Sequence, residues 1–598
     1  MDSLTIHAYS PKLIVGDCHY NAEKILECMD NARSGKADVA LFPELSLTSC
    51  SCGDLFGHKT LLDGALRELL RLTVAVSEMG LTAVVGLPFF DGGKIYNCAA
   101  VIHPDGALSI IPKKNGRRRR GIAFDFADSA GANRTVFLFS KQAAFSENYT
   151  FAARGFELTV VVGDELAARP SGNMIILNPS AAVETAEAYK RQRRAAAEAS
   201  GSKGAVITLN PSYYESTTDY VFSGYAVASA NGTIIAEKPP FSADYLSVTF
   251  PYFCEGEAPE LKEPTEFSLA LPFIPVTGAA DYCEYVLNIQ SYALARRMEH
   301  IGSKKLVIGV SGGLDSALAL LVCCHAADIL GLKRTKVIAV SIPALGSSER
   351  TKNNAERLSK ALGAGFRVID VSEEVLLHLK AIGHDGVTAD SAYENAQARE
   401  RTQVLMDLAN LTGGLQIGTG DLSELALGFT TYGGDHLSMY GVNASVPKTL
   451  VKALVMHCGA VAGGELREIA MDIAETPISP ELLPAAKNGP AQKTEEIVGP
   501  YEIHDFVIWH MFVNQSGPAE IFDLAKKAFA GTYEANAIVK CMKEFYKRFF
   551  AQQFKRSAMP EGPAATRVSL SPRGGFSMPG DMAAAEWLRE ADEIDAVP

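Results

Sequence analysis

Short apolar runs alternate along this chain with longer stretches of helical patterning. In the first half, Val39-Ala-Leu-Phe42, Thr82-Ala-Val-Val-Gly-Leu87, Leu158-Thr-Val-Val-Val162 and Met174-Ile-Ile-Leu-Asn178 have the length of buried strands. In the second half, Leu306-Val-Ile-Gly-Val310, Lys336-Val-Ile-Ala-Val-Ser-Ile342 and Phe366-Arg-Val-Ile-Asp370 read the same way, with helix expected from Thr351 onward. Strands that are apolar throughout and separated by helices predict an α/β fold. For the second half they predict a doubly wound parallel sheet with ligands at its C-terminal strand ends. Pro251, Glu255-Gly-Glu-Ala-Pro259, Pro264 and Pro272-Phe-Ile-Pro275 break the pattern. Residues 251–284 are therefore read as a linker between domains at 1–250 and 285–598.

The strand at Leu306 runs into Ser311-Gly-Gly-Leu-Asp-Ser316. Two glycines permit a tight turn with exposed N–H groups, the serines add donors, and a helix expected from about Ser316 points its positive end at the turn. Asp315 is poorly placed to touch phosphate itself, and its carboxylate makes sense with Mg2+ between the two. The loop lacks the lysine of a Walker A site, which disfavours γ-phosphate transfer. A bare Ser-Gly-Gly is equally an ordinary strand-to-helix turn with a serine cap. A second turn, Gly418-Thr-Gly-Asp-Leu-Ser-Glu424, follows the strand ending at Ile417. If a helix begins at Leu422, a carboxylate there faces back toward the first loop. Simple N-capping by Asp421 and Ser423 explains the same residues. The helix expected at Glu394–Gln403 mixes charge and amide groups, as a solvated face also does.

The formal net charge of −13 argues against extended nucleic-acid contact. Arg117–Arg120, preceded by Lys113 and Lys114, is the one basic run, and without interleaved aromatics it reads as a solvated loop or a subunit contact. There is no stretch of eighteen apolar residues and no basic leader before an apolar segment, so a cytoplasmic protein without membrane contact is expected. The eleven cysteines have no zinc-site or C-x-x-C spacing, and reduced thiols are expected.

Ser311–Ser316, taken together after their strand, resemble the pyrophosphate-binding loop of the N-type ATP pyrophosphatases, which cleave ATP between the α and β phosphates to adenylate an oxygen. Four further stretches narrow this: ENAQARERTQVLMDLAN from Glu394, GTGDLSELALG from Gly418, GDHLSMYGVNASVPKTLV from Gly434 and QQFKRSAMPEGP from Gln552. They resemble the long-form NAD synthetases, which join an N-terminal nitrilase-like glutaminase to an ATP pyrophosphatase domain. The resemblance implies ligation of ammonia to deamido-NAD, giving NAD, AMP and pyrophosphate. On that model Gly309, Ser311, Gly312, Gly313, Asp315, Ser316 and Thr419 hold ATP, and Asp315 and Glu424 bind Mg2+. Asn395, Glu400, Arg401, Thr402, Gln403, Glu424, Phe429, Thr430, Thr431 and Tyr432 line the deamido-NAD site, and Lys448 and Lys555 stand near phosphate or the developing charge. A homo-oligomer, an octamer as in long-form relatives, is also implied.

Residues 1–250 resemble the nitrilase superfamily, an α-β-β-α sandwich using a Glu-Lys-Cys triad. Leu41-Phe-Pro-Glu-Leu45 supplies the glutamate, Glu44, Pro112-Lys113 the lysine, and Leu47–Phe56 and Glu215–Phe222 agree further. Where the family reads Cys-Glu-Asp-Leu-Trp, this chain reads Val162-Gly-Asp-Glu-Leu-Ala167, so Gly163 stands in the nucleophile's place and Glu44 and Lys113 are relics or structural residues. Glycine forms no thioester, and Asp164 and Glu165 cannot do that chemistry. Asn178-Pro-Ser-Ala-Ala182, Ala167 and the Arg117–Arg120 run depart from the family pattern as well. A naturally degenerate glutaminase is the preferred expectation, with ammonia taken directly or from an external donor. An engineered cysteine replacement, a glutamine-dependent enzyme with an unrecognised nucleophile, and a non-catalytic scaffold are the alternatives.

Overall fold

The computed structural model describes all residues except 1–2, 115–123, 125–132, 164–165, 167–169, 171–173, 202–203, 252–265, 346–348, 477–497 and 596–598. The Arg117–Arg120 run, Asp164, Glu165 and Ala167 lie outside the described residues. The chain divides into two compact units, Met1–Glu263 and Pro264–Pro598.

The first unit stacks two sheets. One has eight strands, in the order Leu246–Phe250, Leu4–Ala8, Val39–Leu41, Thr82–Asp91, Lys94–Ile102, Leu108–Pro112, Lys141–Phe145 and Arg134–Leu138. The other has six: Thr233–Lys238, Ala226–Ala230, Ala205–Leu209, Met174–Pro179, Phe156–Val160 and Thr150–Ala153. Alternate residues of both sheets, among them Ile6, Leu41, Val84, Leu158, Ile175 and Ile207, meet in a solvent-free layer. Their other faces are covered by helices. Cys18–Ser34 and Lys59–Met79 lay Ala22, Ile25, Met29, Leu69, Leu72 and Val76 on the first sheet, and Ala188–Ser200 lays Ala196 and Ala199 on the second. The result is a helix–sheet–sheet–helix sandwich.

The long antiparallel ribbon Thr82–Asp91 with Lys94–Ile102 interrupts the regular alternation of strand and helix. Gly92 and Gly93 turn it with φ of +57° and +82°, the pair of positive values that a twisted two-residue hairpin requires.

The second unit holds a five-stranded, all-parallel sheet in the order Gly365–Val368, Val337–Ser341, Leu306–Gly309, Leu415–Gly418 and Tyr440–Gly441. Val307 and Val340 pack against Leu405, Leu408 and Ala409 of the helix Ser391–Thr412. The helix Leu314–Ile329 packs on Ala279–Ile301 and Lys448–Ala462. Ala279–Ile301 begins inside the segment read as linker, and Leu314–Ile329 starts two residues before Ser316. Leu306–Gly309 and Leu415–Gly418 are neighbours in register, Ile308 beside Ile417, so both glycine turns leave the sheet at one edge and at one level. Helices Tyr501–Trp509, Pro518–Ala528, Ala535–Ala551 and Ala585–Asp595 form a further helical layer. Among the described residues no helix is long and apolar enough to cross a membrane, and ten cysteines are free.

Candidate functional site

The two turns face one cavity of about 500 Å³ at the carboxyl ends of the parallel strands. Within the first turn, Ser311 Oγ accepts from Gly313 N at 3.2 Å and Ser316 Oγ donates to Gly313 O at 3.1 Å. These bonds brace the turn, and the helix Leu314–Ile329 starts without a side-chain cap, its first residues lining the cavity. Asn443 Nδ2 donates to both Asp315 O (3.0 Å) and Thr419 O (3.1 Å), tying the two turns together.

Three carboxylates, those of Asp315, Asp421 and Glu424, bring ligand oxygens within 4.8 Å of one another. The Lys448 ammonium stands among them, 2.7 Å from Asp315 Oδ2, 2.7 Å from Asp421 Oδ2 and 3.0 Å from Glu424 Oε1. Burial pushes Asp421 up and Glu424 up to about 7, against the pull of Lys448. Burial also opposes the Lys448 charge, but the three carboxylates outweigh it and hold the ammonium well above its ordinary range. Lys448 is the first residue of its helix, which Pro447 precedes without a side-chain cap. Its amide instead donates to Ser423 Oγ at 2.9 Å and that of Thr449 to Asp505 Oδ2 at 2.9 Å, while Ser423 Oγ donates to Asp505 Oδ1. Two neighbouring elements thus supply the missing cap and fix Lys448 beside Glu424. An all-oxygen donor set with a buried, unpartnered Asp315 Oδ1 fits a hard divalent ion such as Mg2+.

The first unit holds a second polar cluster. Glu44 follows the strand Val39–Leu41, and its carboxylate accepts from Lys113 Nζ at 3.0 and 3.2 Å and from Asn97 Nδ2. Gly163 lies beside them. A Cβ built on it falls 2.4 Å from Lys113 Cε and 2.8 Å from Lys113 Nζ, and its φ is +111°. Its N–H donates to Pro179 O at 2.9 Å and its carbonyl accepts from Asn178 Nδ2 at 2.8 Å, so the backbone here is pinned from both sides.

The NAD synthase family pattern matches residues 286–550, and the carbon-nitrogen hydrolase pattern matches residues 9–166. The glutamine-dependent NAD(+) synthetase of Mycobacterium tuberculosis is 32% identical, over 97% of this chain and 96% of that one. The chain belongs to the NAD synthetase family. The Aquifex aeolicus glutamine-dependent NAD(+) synthetase is 26% identical over 92% of this chain and 95% of that one. In three dimensions the chain is similar to a glutamine-dependent NAD(+) synthetase from Cytophaga hutchinsonii, with a TM-score of 0.79, 16% identity and 99% and 100% of the two chains covered. As an NAD synthetase it is a carbon–nitrogen ligase that uses ATP.

Measured against the residues expected of an NAD synthetase, the cavity is lined by Gly309, Ser311, Gly313, Asp315, Ser316 and Thr419 of the two turns. Asn395, Arg401, Thr402, Glu424, Phe429, Thr430, Thr431 and Lys448 line it as well. Gly312 turns the loop from behind with φ +89°. Glu400 and Gln403 share the helix Ser391–Thr412 but do not line the cavity, and Tyr432 is half exposed, stacked on His436. Lys555 is not among the lining residues. Its Nζ donates to Gly428 O (2.7 Å) and Thr430 O (2.6 Å) and so holds the loop that bears Phe429–Thr431.

Three contributors escape the sequence patterns. Asp421 is a helix N-cap, its Oδ1 accepting from Glu424 N at 2.8 Å, and at the same time a member of the acidic cluster. Tyr501 and Asp505 come from a helix far along the chain with no motif of its own.

Proposed function

We propose that this NAD synthetase takes ammonia directly and ligates it to deamido-NAD, cleaving ATP to AMP and pyrophosphate. The observation that carries the reading is the cluster Glu44–Lys113–Gly163. A nitrilase glutamate and lysine are paired at 3.0 Å, and beside the ammonium there is a residue that bears no thiol. Thioester chemistry needs a sulfur nucleophile, and glycine supplies none. Four of the described thiols of the same unit do not suggest a replacement. Burial pushes Cys18 up to about 11, Cys28 and Cys52 up to about 12, and Cys98 well up, which is the opposite of an activated nucleophile.

In this reading the amides and serines of Ser311–Ser316 bind the ATP phosphates, and Asn395, Arg401, Thr402 and Phe429–Thr431 orient deamido-NAD. A carboxylate oxygen of deamido-NAD attacks the α-phosphorus and pyrophosphate departs. The lone pair of ammonia then attacks the acyl carbon, AMP leaves with the bonding pair, and the surplus proton passes to water. Asp315, Asp421 and Glu424 would hold Mg2+, which supplies charge neutralisation at the phosphates. Lys448, fixed by Ser423 and Asp505, offers a cation to the departing oxygens. No general base is required of the protein, because adenylation and alignment carry most of the barrier. A cytoplasmic homo-oligomer belongs to the same reading, and mass photometry at multiples of 64.0 kDa would register it.

The intact acidic cluster and phosphate turn favour this reading over a non-catalytic scaffold. The test supplies purified protein with ATP, Mg2+ and deamido-NAD, first with ammonium and then with glutamine. NAD should form with ammonium alone, and equal turnover with glutamine would overturn the proposal.

A further inference from the structure

Tyr501 opens the helix Tyr501–Trp509, outside the parallel sheet, yet it lines the ATP cavity. It is 2% exposed, and its hydroxyl is buried without a hydrogen-bond partner. The face of its ring lies 5.3 Å from Lys448 Nζ. Its charged surroundings are those of the acidic cluster, Lys448 together with Glu424, Asp421 and Asp315. Asp505, one helical turn later on the same face, grips Ser423 and Thr449. The helix is therefore locked against both the Glu424 and the Lys448 elements, and the phenol is held at the cavity wall by a rigid support.

A buried hydroxyl that makes no hydrogen bond is costly and uncommon, and a bound acceptor removes the cost. An anion that enters beside Lys448 would supply that acceptor. Resting on the function proposed above, we propose that the Tyr501 hydroxyl donates a hydrogen bond to the β,γ portion of ATP, the part that leaves as pyrophosphate. It then serves as a further catalytic residue that favours ATP over nucleotides lacking those phosphates. The stacking of the ring on Lys448 fixes the donor relative to the ammonium, so hydroxyl and cation act on the same departing group.

Tyr501→Phe removes the O–H alone and keeps the packing of the ring. Titration calorimetry with Mg–ATP and with AMP, together with steady-state kinetics, reads the effect. ATP affinity should fall about 10-fold while AMP affinity is unchanged, and kcat/KM for ATP should fall roughly 10- to 100-fold with KM for deamido-NAD preserved. Equal losses for ATP and AMP, or no loss, would show the hydroxyl to be a packing group and overturn the inference. Asp315→Asn separates the two levels of the argument. If it loses ATP binding while Tyr501→Phe does not, only the role of Tyr501 fails. If Asp315→Asn binds ATP as the wild type does, the ATP site itself is wrongly assigned, and the role of Tyr501 fails with it.

Discussion

Asp421 uses one carboxylate oxygen to cap the Glu424 amide at 2.8 Å and turns the other to Lys448 at 2.7 Å, so a single side chain starts a helix and closes the acidic cluster. Asp315 has no such capping duty, and its side chain keeps 23% of its exposure. Asp315→Ala should therefore fold normally, with an unfolding midpoint within a few degrees of wild type, while AMP release in the presence of deamido-NAD and ammonium drops by about 100-fold or more. Undiminished AMP release would remove Asp315 from the chemistry. Gly163→Cys is expected to leave glutamine use absent. A Cβ there meets Lys113 Cε at 2.4 Å, so the end of the lysine must shift, and φ of +111° strains any L-residue. Glutamine-dependent NAD formation by that variant would show the domain to be intact apart from one atom group. At this scale the sequence singled out Asp315, Glu424 and Lys448, each in a distinctive run, and the structure brings the three side chains together. It hid the second role of Asp421 behind ordinary cap chemistry, and it hid Tyr501 because a lone aromatic at the start of a helix carries no signal of what it faces.

The helix Leu422–Leu427 that positions Glu424 has six residues, too few to persist unaided. Asp421 caps its start, and Arg556, 1% exposed, caps its end by donating from Nη1 to Leu425 O (3.1 Å) and Ala426 O (3.0 Å), while its Nη2 donates to Phe549 O of the helix Ala535–Ala551. Arg556→Met leaves buried carbonyls unpaired, and a loss of roughly 2–4 kcal/mol in denaturant unfolding is expected, with kcat falling more than KM as Glu424 drifts. Arg556→Lys should recover only part, since a point cation cannot reproduce the fork. The helix Tyr501–Trp509 brings a pH dependence. His504 is fully buried, its Nε2–H donates to Val498 O at 2.7 Å, and burial pushes its pKa down to about 4. The unfolded chain takes up a proton near pH 6.5, so the stabilisation is complete above that value and is lost as the pH falls toward 4. Between pH 7.5 and 5 the wild type should lose about 2 kcal/mol more unfolding free energy than His504→Gln. Equal losses would mean the imidazole is not held neutral. Strand and helix positions were legible to within a few residues, because uninterrupted apolar runs admit little else. The ribbon Thr82–Ile102 was not, since it depends on the Gly92–Gly93 turn, which was not read as a hairpin.

Each of the two units buries its own core, so damage to one need not reach the chemistry of the other. Glu44→Gln removes the charge that Lys113 pairs with at 3.0 Å. The first unit should unfold at lower denaturant, by about 3 kcal/mol, while ammonium-dependent NAD formation per folded molecule stays unchanged. A matching loss of that activity would mean the pair still serves catalysis. The division into a sandwich and a parallel-sheet unit was legible because motifs from each half resemble families of known architecture. The extent of the linker was not, because the helix Ala279–Ile301 starts within a stretch whose prolines and glycines had ended the periodic pattern. The buried ammonium of Lys448 also shapes the working cycle of the whole enzyme. Lys448 already occupies the three carboxylates that would hold a divalent ion, so an ion entering alone would compete with the ammonium for them, whereas phosphates arriving with it would offer the lysine new oxygens. On the proposed reading, ion and nucleotide would be linked thermodynamically, each raising the affinity for the other, and the site would act as a coincidence detector that responds to the pair far more than to either component.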